Sequence, residues 1–361
     1  MISIIYPYRN RDIQRVKNSL ESLQFQTNKV FEVHFVNYGS NENYTHQIEN
    51  LLKGFSFVNY TYLYTKKQPW NKSKAINSVL KNLETGYFFV ADIDMIFHST
   101  FIDKALELSK NNEAWYFQVG FLSEEESKTS KKFEDYTIKF KSNKEATGLT
   151  MCSVKSAKAI RGFDEFYHFW GSEDSDFHVR LKNSGCNVNY FNEKLLMLHQ
   201  WHKIYRHKES ESLTADLQVS GIVQLNSCYL KQTIQNKKTI VNGNDWGETQ
   251  TKQQFEKLVA HSNKQNKLIS NGCAEIDYFL FQELPNLKPG IYSFQIRAKQ
   301  QNTSLKTTLK SVLKNKKTQC YSLKTINDKL LFHIVNFYRN NPYNYNVSKD
   351  LKSITFVIEK P

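Results

Sequence analysis

Three short apolar runs, at residues 2–6, 30–36 and 87–91, constrain the fold most, because each has the length and composition of a buried strand. Between them Ile13, Val16, Leu20 and Leu23 recur at helical spacing, and Ile76, Val79, Leu80 and Leu83 do so again. Strand, helix, strand, helix, strand predicts an α/β domain with a mainly parallel sheet. In such sheets ligands bind beyond the carboxyl ends of the strands, which is where Arg9, Asn37 and Asp92 fall.

Two acidic clusters stand in positions where chemistry can use them. Asp92 and Asp94 close the third apolar run, and two carboxylates so close together are hard oxygen ligands suited to Mg²⁺ or Mn²⁺. Such an ion can bridge two phosphates and take up the charge of a departing nucleoside diphosphate. Glu173, Asp174 and Asp176 follow the aromatic-glycine pair Trp170-Gly171. One carboxylate there can accept a proton from a hydroxyl nucleophile while its neighbour orients the acceptor. The same three residues also suit the acidic first turn of a helix.

His199 and His202 follow a further apolar segment, and a neutral imidazole can complete an octahedral Mn²⁺ site. A satisfied structural histidine is the plainer alternative for either. Arg9, Arg11, Lys72 and Lys74 offer an electropositive rim for a diphosphate, and Trp70 can pack on a base or sugar. Neither a dinucleotide-binding glycine fingerprint nor a P-loop is present.

Charge divides the chain unevenly. Residues 1–230 hold 28 Lys and Arg against 26 Asp and Glu, a net of +2, whereas residues 231–361 hold 21 against 9, a net of +12. A segment so basic attracts polyanions, including anionic lipid headgroups, without choosing among them. Its short apolar stretches, at 278–284, 290–298, 319–323, 330–337 and 353–358, are separated by Gly, Pro, Asn and Lys and predict strands of a small β-rich module. The expected division is a catalytic domain over 1–235, ending in an exit helix, and a basic accessory module over 236–361. Residues 124–145 are highly charged and predict an exposed excursion with the character of a flap. The five scattered cysteines predict buried free thiols rather than a disulfide framework. No apolar stretch approaches the roughly 20 residues that span a bilayer and no signal-peptide pattern opens the chain. The expected location is cytoplasmic, with peripheral contact to the inner face of the membrane through the basic module.

The assembled motifs resemble family 2-type glycosyltransferases of the GT-A fold. A second motif region is similar to the catalytic segment of β-1,4-galactosyltransferases and polypeptide N-acetylgalactosaminyltransferases. The matching text is residues 3–12, residues 70–77, Ala91-Asp92-Ile93-Asp94, Gly162-Phe163-Asp164-Glu165, and residues 169–176 through Arg180-Leu181, together covering about residues 1–205. The resemblance implies a Rossmann-like GT-A domain. It places Arg9, Arg11 and Asp92 at a uridine nucleotide, with Trp70 and Lys72 lining its pocket and Asn37 and Trp170 completing the set. It assigns Asp94 to the metal, with His199 or His202 as a further ligand, and puts Glu173 and Asp174 at the reaction centre, Asp174 matching the catalytic base. Two residues depart from the pattern. Asn37 stands where many members have an aspartate that contacts the base, and Ser172 where a second glycine is common.

The implied activity is inverting, Mn²⁺- or Mg²⁺-dependent transfer of a hexose or N-acetylhexosamine from a UDP-sugar to a hydroxyl of a bacterial surface glycan, of capsule or lipopolysaccharide type. Retaining transfer keeps the nucleotide site without Asp174 as base. A non-catalytic protein that binds glycan or polyanion through the basic C-terminus is the alternative of a different class, and nucleic acid is disfavoured because no RNA-binding or zinc-finger pattern accompanies the charge.

Overall fold

The computed structural model describes residues 1–203, 212–264, 267–298 and 319–361. The chain forms two compact units. One comprises Met1–Lys66, Trp70–Arg206 and Ile222–Thr249, and the other Lys67–Pro69, His207–Gly221 and Gln250–Pro361. The division near the C-terminal side therefore falls at residue 249, with residues 236–249 belonging to the first unit rather than to a module starting at 236. Asn242 explains the difference: its side-chain amide donates to the carbonyls of Arg161 and Phe163, fixing the segment to the first unit.

The first unit contains, in order, β1 (Ile2–Tyr8), α1 (Ile13–Gln24), β2 (Phe31–Asn37), α2 (Glu42–Leu52), β3 (Val58–Tyr62), α3 (Lys72–Leu80) and β4 (Tyr87–Val90). Then come β5 (Met95–Phe97), α4 (Phe101–Leu108), β6 (Ala114–Phe117), β7 (Gly120–Leu122), β8 (Ile138–Lys141), β9 (Thr150–Ser153) and α5 (Val154–Ala159). It ends with α6 (Glu173–Asn183), β10 (Val188–Phe191), β11 (Met197–His199) and α7 (Ile222–Gln235). Seven strands form one sheet in the order β10-β6-β9-β4-β1-β2-β3, parallel except where β9 runs against β4 and β6. This is the mixed α/β, largely parallel, Rossmann-like GT-A architecture.

Every residue of β1 is buried because alternate side chains enter two separate cores. Ile2, Ile4, Tyr6 and Tyr8 pack in one core with residues of α1 and α4, while Ile5 joins Val36, Phe88 and Val90 beneath residues of α3, α5 and α6. The excursion at 124–145 holds two 3₁₀ turns and β8, which pairs with β7 in a second sheet ordered β5-β11-β7-β8. Ser127 Oγ accepts from the Trp201 amide, tying this excursion to the segment that carries both candidate histidines.

The second unit is only partly as expected. Its four-stranded sheet, β12 (Lys267–Ser270), β13 (Gly290–Arg297), β14 (Tyr343–Val347) and β15 (Ser353–Lys360), is ordered β12-β13-β15-β14 and mostly antiparallel. Two predicted strands are helical instead. Residues 278–284 fall at the end of α9 (Cys273–Tyr278) and in the π turn Phe279–Glu283, and residues 330–337 fall in α10 (Leu323–His333) and the π turn Ile334–Tyr338. An apolar run cannot by itself separate a strand from a buried helix segment, and here Ser322 caps α10 by accepting from the Thr325 amide. The unit's remaining helix is α8 (Lys252–Lys264), and residues 319–323 hold only the isolated bridge Gly272–Cys320 and the start of α10. The five cysteines are free, but Cys152 alone is buried. Among the described residues no helix is long and apolar enough to cross a membrane.

The fully buried pair Asp176–Arg180 anchors α6. Arg180 Nε donates to Asp176 Oδ2 at 2.6 Å, and its other nitrogens reach the carbonyls of Ile160, Gly162 and Thr239. Tyr167 donates to the second carboxylate oxygen of Asp176. Removing one member of such a pair leaves the other charge buried without compensation, at a cost of about 3–5 kcal/mol. Arg180→Met should therefore lower the free energy of unfolding in urea by about that amount, and a midpoint equal to wild type would show that the pair does not anchor the helix.

Candidate active site

Lys72 is the first residue of α3, placed there by Asn71, whose side-chain oxygen caps the helix by accepting from the Lys74 amide at 2.7 Å. The Lys72 ammonium lies 3.4 Å from Asp92 Oδ1, 3.6 Å from Glu173 Oε1 and 3.4 Å from Asp174 Oδ2. Three elements thus meet on one cation: the turn after β4, the N-terminus of α3 and the N-terminus of α6. Burial works against the Lys72 charge, but Asp174, Asp92 and Glu173 outweigh it and hold its pKa well above the ordinary lysine value.

The carboxylates outnumber the cation. Burial raises the pKa of Asp174, Lys72 partly opposes this, and Glu173 and Asp92 raise it further, to about 7. Asp174 Oδ1 is buried without a hydrogen-bond partner, whereas Oδ2 faces Lys72. Asp174 therefore combines an unused acceptor oxygen with a proton affinity matched to neutral pH, the two properties a general base needs.

The loop before α6 is shaped for this purpose. Phe169, Gly171 and Ser172 all have positive φ, at 62°, 103° and 73°. Ser172 occupies the conformation that favours glycine, and its side chain makes no capping bond. Three features hold the loop: the Phe169 amide donates to the Trp70 carbonyl, Asn71 donates to the Glu165 carbonyl, and Asn226 of α7 donates to the carbonyls of His168 and Trp170. Glu173, Asp174 and Asp176 lie in the first turn of α6, where the helix dipole favours negative charge.

Asp94 begins a second cluster. Its carboxylate lies 3.7 Å from His199 Nε2 and 3.2 Å from His202 Nε2, and one donor atom from each of the three residues falls within 4.8 Å of the others. Asp94 Oδ1 is buried without a hydrogen-bond partner, while Oδ2 accepts from His202 Nε2, and His202 Nδ1 donates to the Lys203 carbonyl, which fixes the ring; the bond to Asp94 raises the pKa of His202. Burial opposes ionisation of Asp94, but the two imidazoles keep its pKa at about 2. One oxygen donor and two imidazole donors, with a buried oxygen otherwise unpaired, fit a divalent transition ion such as Mn²⁺. Both histidines converge on Asp94, so the three residues form one candidate triad. Phe121 stacks on the His199 ring at 4.7 Å, and Gln200 donates to the backbone carbonyls of Asp94 and Arg15.

The remaining predicted residues are more dispersed. Arg9 donates to the Lys66 carbonyl and its guanidinium lies 5.9 Å from the Tyr38 ring centre. Arg11 lines a polar cleft of about 400 Å³ with Asn10, Asp12, Arg15, Asn43 and Tyr44 among its neighbours. Trp70 meets Tyr38 edge to face at 5.4 Å, and Trp170 is 46% exposed. Asn37 is fully buried; its amide donates to Tyr60 and Thr45 while its oxygen accepts from the Ser40 amide. Lys74 is no part of an open rim, because it is buried 3.5 Å from the Glu165 carboxylate.

Sequence reasoning missed the buried polar residues that hold these groups. Asn77 donates to Phe163 O and Glu165 Oε1 and accepts from the Phe163 amide, joining α3 to the loop that leads to α6. Its signal was its place in the quoted stretch 70–77. Asn226 and Gln200 carried no signal beyond being polar residues in apolar surroundings.

Residues 3–161 match the family model described as glycosyl transferase family 2, and residues 127–208 match the one described as the N-terminal domain of galactosyltransferase. A comparison with curated proteins gives no match. Among solved structures, S. aureus TarS is 16% identical, with 55% of this chain and 36% of that chain covered and a TM-score of 0.42. TarS 1–349 in complex with UDP is 14% identical over 80% of this chain and 75% of that one, with a TM-score of 0.46. The mannosyltransferase PcManGT from Pyrobaculum calidifontis, in complex with GDP-Man and Mn²⁺, is 14% identical over 56% and 57%, with a TM-score of 0.41. This chain thus spans about a third of the first TarS chain and just over half of PcManGT. The two family matches and the two clusters describe a GT-A-like domain that is similar to family 2 glycosyltransferases over residues 3–161.

The raised pKa of Asp174 has a stability consequence of definite sign. The folded state holds the proton up to about pH 7, whereas the unfolded chain releases it near the ordinary value of 3.8, so stability is lost as pH rises between the two. Asp174→Asn mimics the protonated form. It should raise Tm relative to wild type at pH 8, with the gap closing below pH 4; a variant less stable than wild type at pH 8 would contradict this assignment.

Proposed function

We propose that this glycosyltransferase inverts the anomeric centre as it moves a hexose or N-acetylhexosamine from a UDP-sugar to a hydroxyl of a bacterial surface glycan. The observation that carries the reading is Asp174: a partly buried carboxylate with one oxygen on Lys72, the other buried and unpartnered, and a pKa near neutrality. In this reading Asp174 Oδ1 takes the proton from the acceptor hydroxyl as its oxygen attacks the anomeric carbon from the face opposite the nucleotide. The C–O bond to UDP breaks, and the electron pair leaves with the diphosphate. Glu173 orients the acceptor. Lys72 holds Asp174 in place and is close enough to Asp92 to link the base to the nucleotide side. Arg9 and Arg11 assist the diphosphate, Asn37, Trp70 and Trp170 shape the nucleotide pocket, and Asp92 contacts the nucleotide.

Asp94, His199 and His202 would hold Mn²⁺ or Mg²⁺, with the two imidazoles favouring Mn²⁺. When bound, the ion supplies positive charge to offset that developing on the leaving diphosphate. The basic C-terminal module is assigned to anionic surfaces, holding a cytoplasmic enzyme against the inner face of the membrane or retaining an acidic glycan, because the net charge of +12 over residues 231–361 suits either.

Two measurements test the site. Asp94→Ala should abolish the Mn²⁺ enhancement of UDP binding in calorimetry; equal UDP affinity with and without Mn²⁺ in wild type would reject a metal-supported nucleotide site. Asp174→Asn should keep UDP binding but lower transfer by on the order of 10²- to 10⁴-fold. In wild type kcat/KM should fall as pH drops through about 7, because the base becomes protonated. A product with retained anomeric configuration, or near-normal turnover of the variant at saturating acceptor, would remove Asp174 from the role of base.

A further inference from the structure

Two helices of the second unit leave aromatic rings in water. Residues 278–281 are Tyr-Phe-Leu-Phe and residues 334–338 are Ile-Val-Asn-Phe-Tyr, and neither run can be buried on one side of a helix. Phe279, Leu280, Ile334 and Val335 turn inward and are at most 2% exposed, whereas Phe281 is 57% and Phe337 67% exposed. The two outward rings converge. The buried His333 ring contacts Phe281 at 5.6 Å and Phe337 at 4.9 Å, so the phenylalanines flank one histidine although 56 residues apart in sequence. Tyr278, 62% exposed, lies three positions before Phe281 on the same side of its helix. Both helices enter π turns here, a geometry frequent at functional sites.

Two cations, Lys360 and Arg339, stand beside these rings. Lys360 Nζ lies 4.6 Å from the centre of the Tyr338 ring, which itself packs on His333 at 5.6 Å. Arg339 follows two residues after Phe337 and donates to the carbonyls of Val335 and Asn336, whereas Lys329, one helical turn before His333, is paired with Asp277 at 3.1 Å. Exposed phenylalanine gains nothing from a polyanion that has no apolar interior, and lysine gains nothing from a neutral hydrocarbon. An anionic bilayer satisfies both, accepting the rings at the acyl boundary and the cations at its headgroups. A second copy of the same face fits poorly, because it would bring together two modules whose residues 250–361 each hold 18 Lys and Arg against 7 Asp and Glu, a net of +11.

We infer that Phe281, Phe337 and Tyr278, with Lys360 and Arg339 beside them, form a docking surface for an anionic lipid bilayer. It deepens the membrane contact proposed for the basic module and does not depend on the transfer reaction. The rings insert to the depth of the headgroup boundary while the cations stay at the phosphate level.

The full chain should co-sediment with phosphatidylglycerol-containing vesicles at low salt and not with phosphatidylcholine alone. Phe281→Ser and Phe337→Ser should each weaken that binding about tenfold, as expected for losing the burial of one ring. Both positions are exposed, so the thermal melt and UDP binding should be unchanged. Wild-type affinity in the double variant would overturn the docking surface while leaving the basic module's attraction to anionic membranes intact. Failure of wild type to bind any anionic vesicle would overturn both. A wild-type dimer that the double variant converts to monomer, without vesicle binding, would assign the face to a second copy instead.

Discussion

Everything at the candidate active site depends on one ammonium shared among three carboxylates. Lys72 stands in the first turn of α3, where the helix dipole opposes a positive charge, and its side chain is only 14% exposed. Glu173 and Asp174 stand in the first turn of α6, where the dipole favours them, and Asp92 closes the third side. The arrangement leaves more negative than positive charge in a poorly solvated space. Burial first, and then the neighbouring Glu173 and Asp92, raise the proton affinity of Asp174 against the opposing pull of Lys72, and rigid neighbours hold the groups in this arrangement.

Those neighbours are buried polar side chains bonded to backbone. Asn71 caps α3 and reaches Glu165 O; Asn77 brackets Phe163 from both sides; Glu165 accepts from Asn77 and from the Gly247 amide; Asn226 holds the loop at His168 and Trp170. Gly162 shows how tightly these pieces approach. It has φ of +69°, and a Cβ there would come within 2.3 Å of Asn77 Oδ1. The glycine is required by its backbone conformation and by the space that Asn77 occupies. Below this layer the Asp176–Arg180 pair fixes α6 to the carbonyls of Ile160 and Gly162, so the helix carrying Asp174 and the loop leading to it share one anchor.

The sequence made legible what depends on short-range pattern. The strands at 2–8, 31–37 and 87–90, the helices around Val16 and Ile76, and the placement of Asp92 at a strand end all follow from apolar spacing and the parallel-sheet rule. The two motif stretches around Asn71–Asn77 and Gly162–Glu165 could be quoted as text, but not their mutual bonding, because hydrogen bonds across more than eighty residues leave no periodic trace. The same limit hid the role of α7, whose Asn226 reaches the loop before α6 across more than fifty residues. In the second unit local pattern itself failed. Residues 278–284 and 330–337 are apolar enough for strands, and only the Ser322 cap and the π turns reveal why both are helical.

Charge in the first unit also bears on why two clusters stand two residues apart on one strand end. Asp92 serves the Lys72 cluster and Asp94 the imidazole triad, so the backbone between them holds the two groups at fixed separation. Under the proposed reaction an anionic diphosphate must approach Asp92, Asp94, Glu173 and Asp174, against which Lys72 is the shared cation. Like charges at such distances repel strongly wherever water is excluded. A divalent ion held by Asp94, His199 and His202 would change the sign of that balance beside Asp94, while leaving Asp174 in the poorly solvated, carboxylate-rich surroundings that keep its proton affinity high. The separation of the clusters thus lets one side of the pocket become attractive to a leaving diphosphate without making the base on the other side too weak to take a proton.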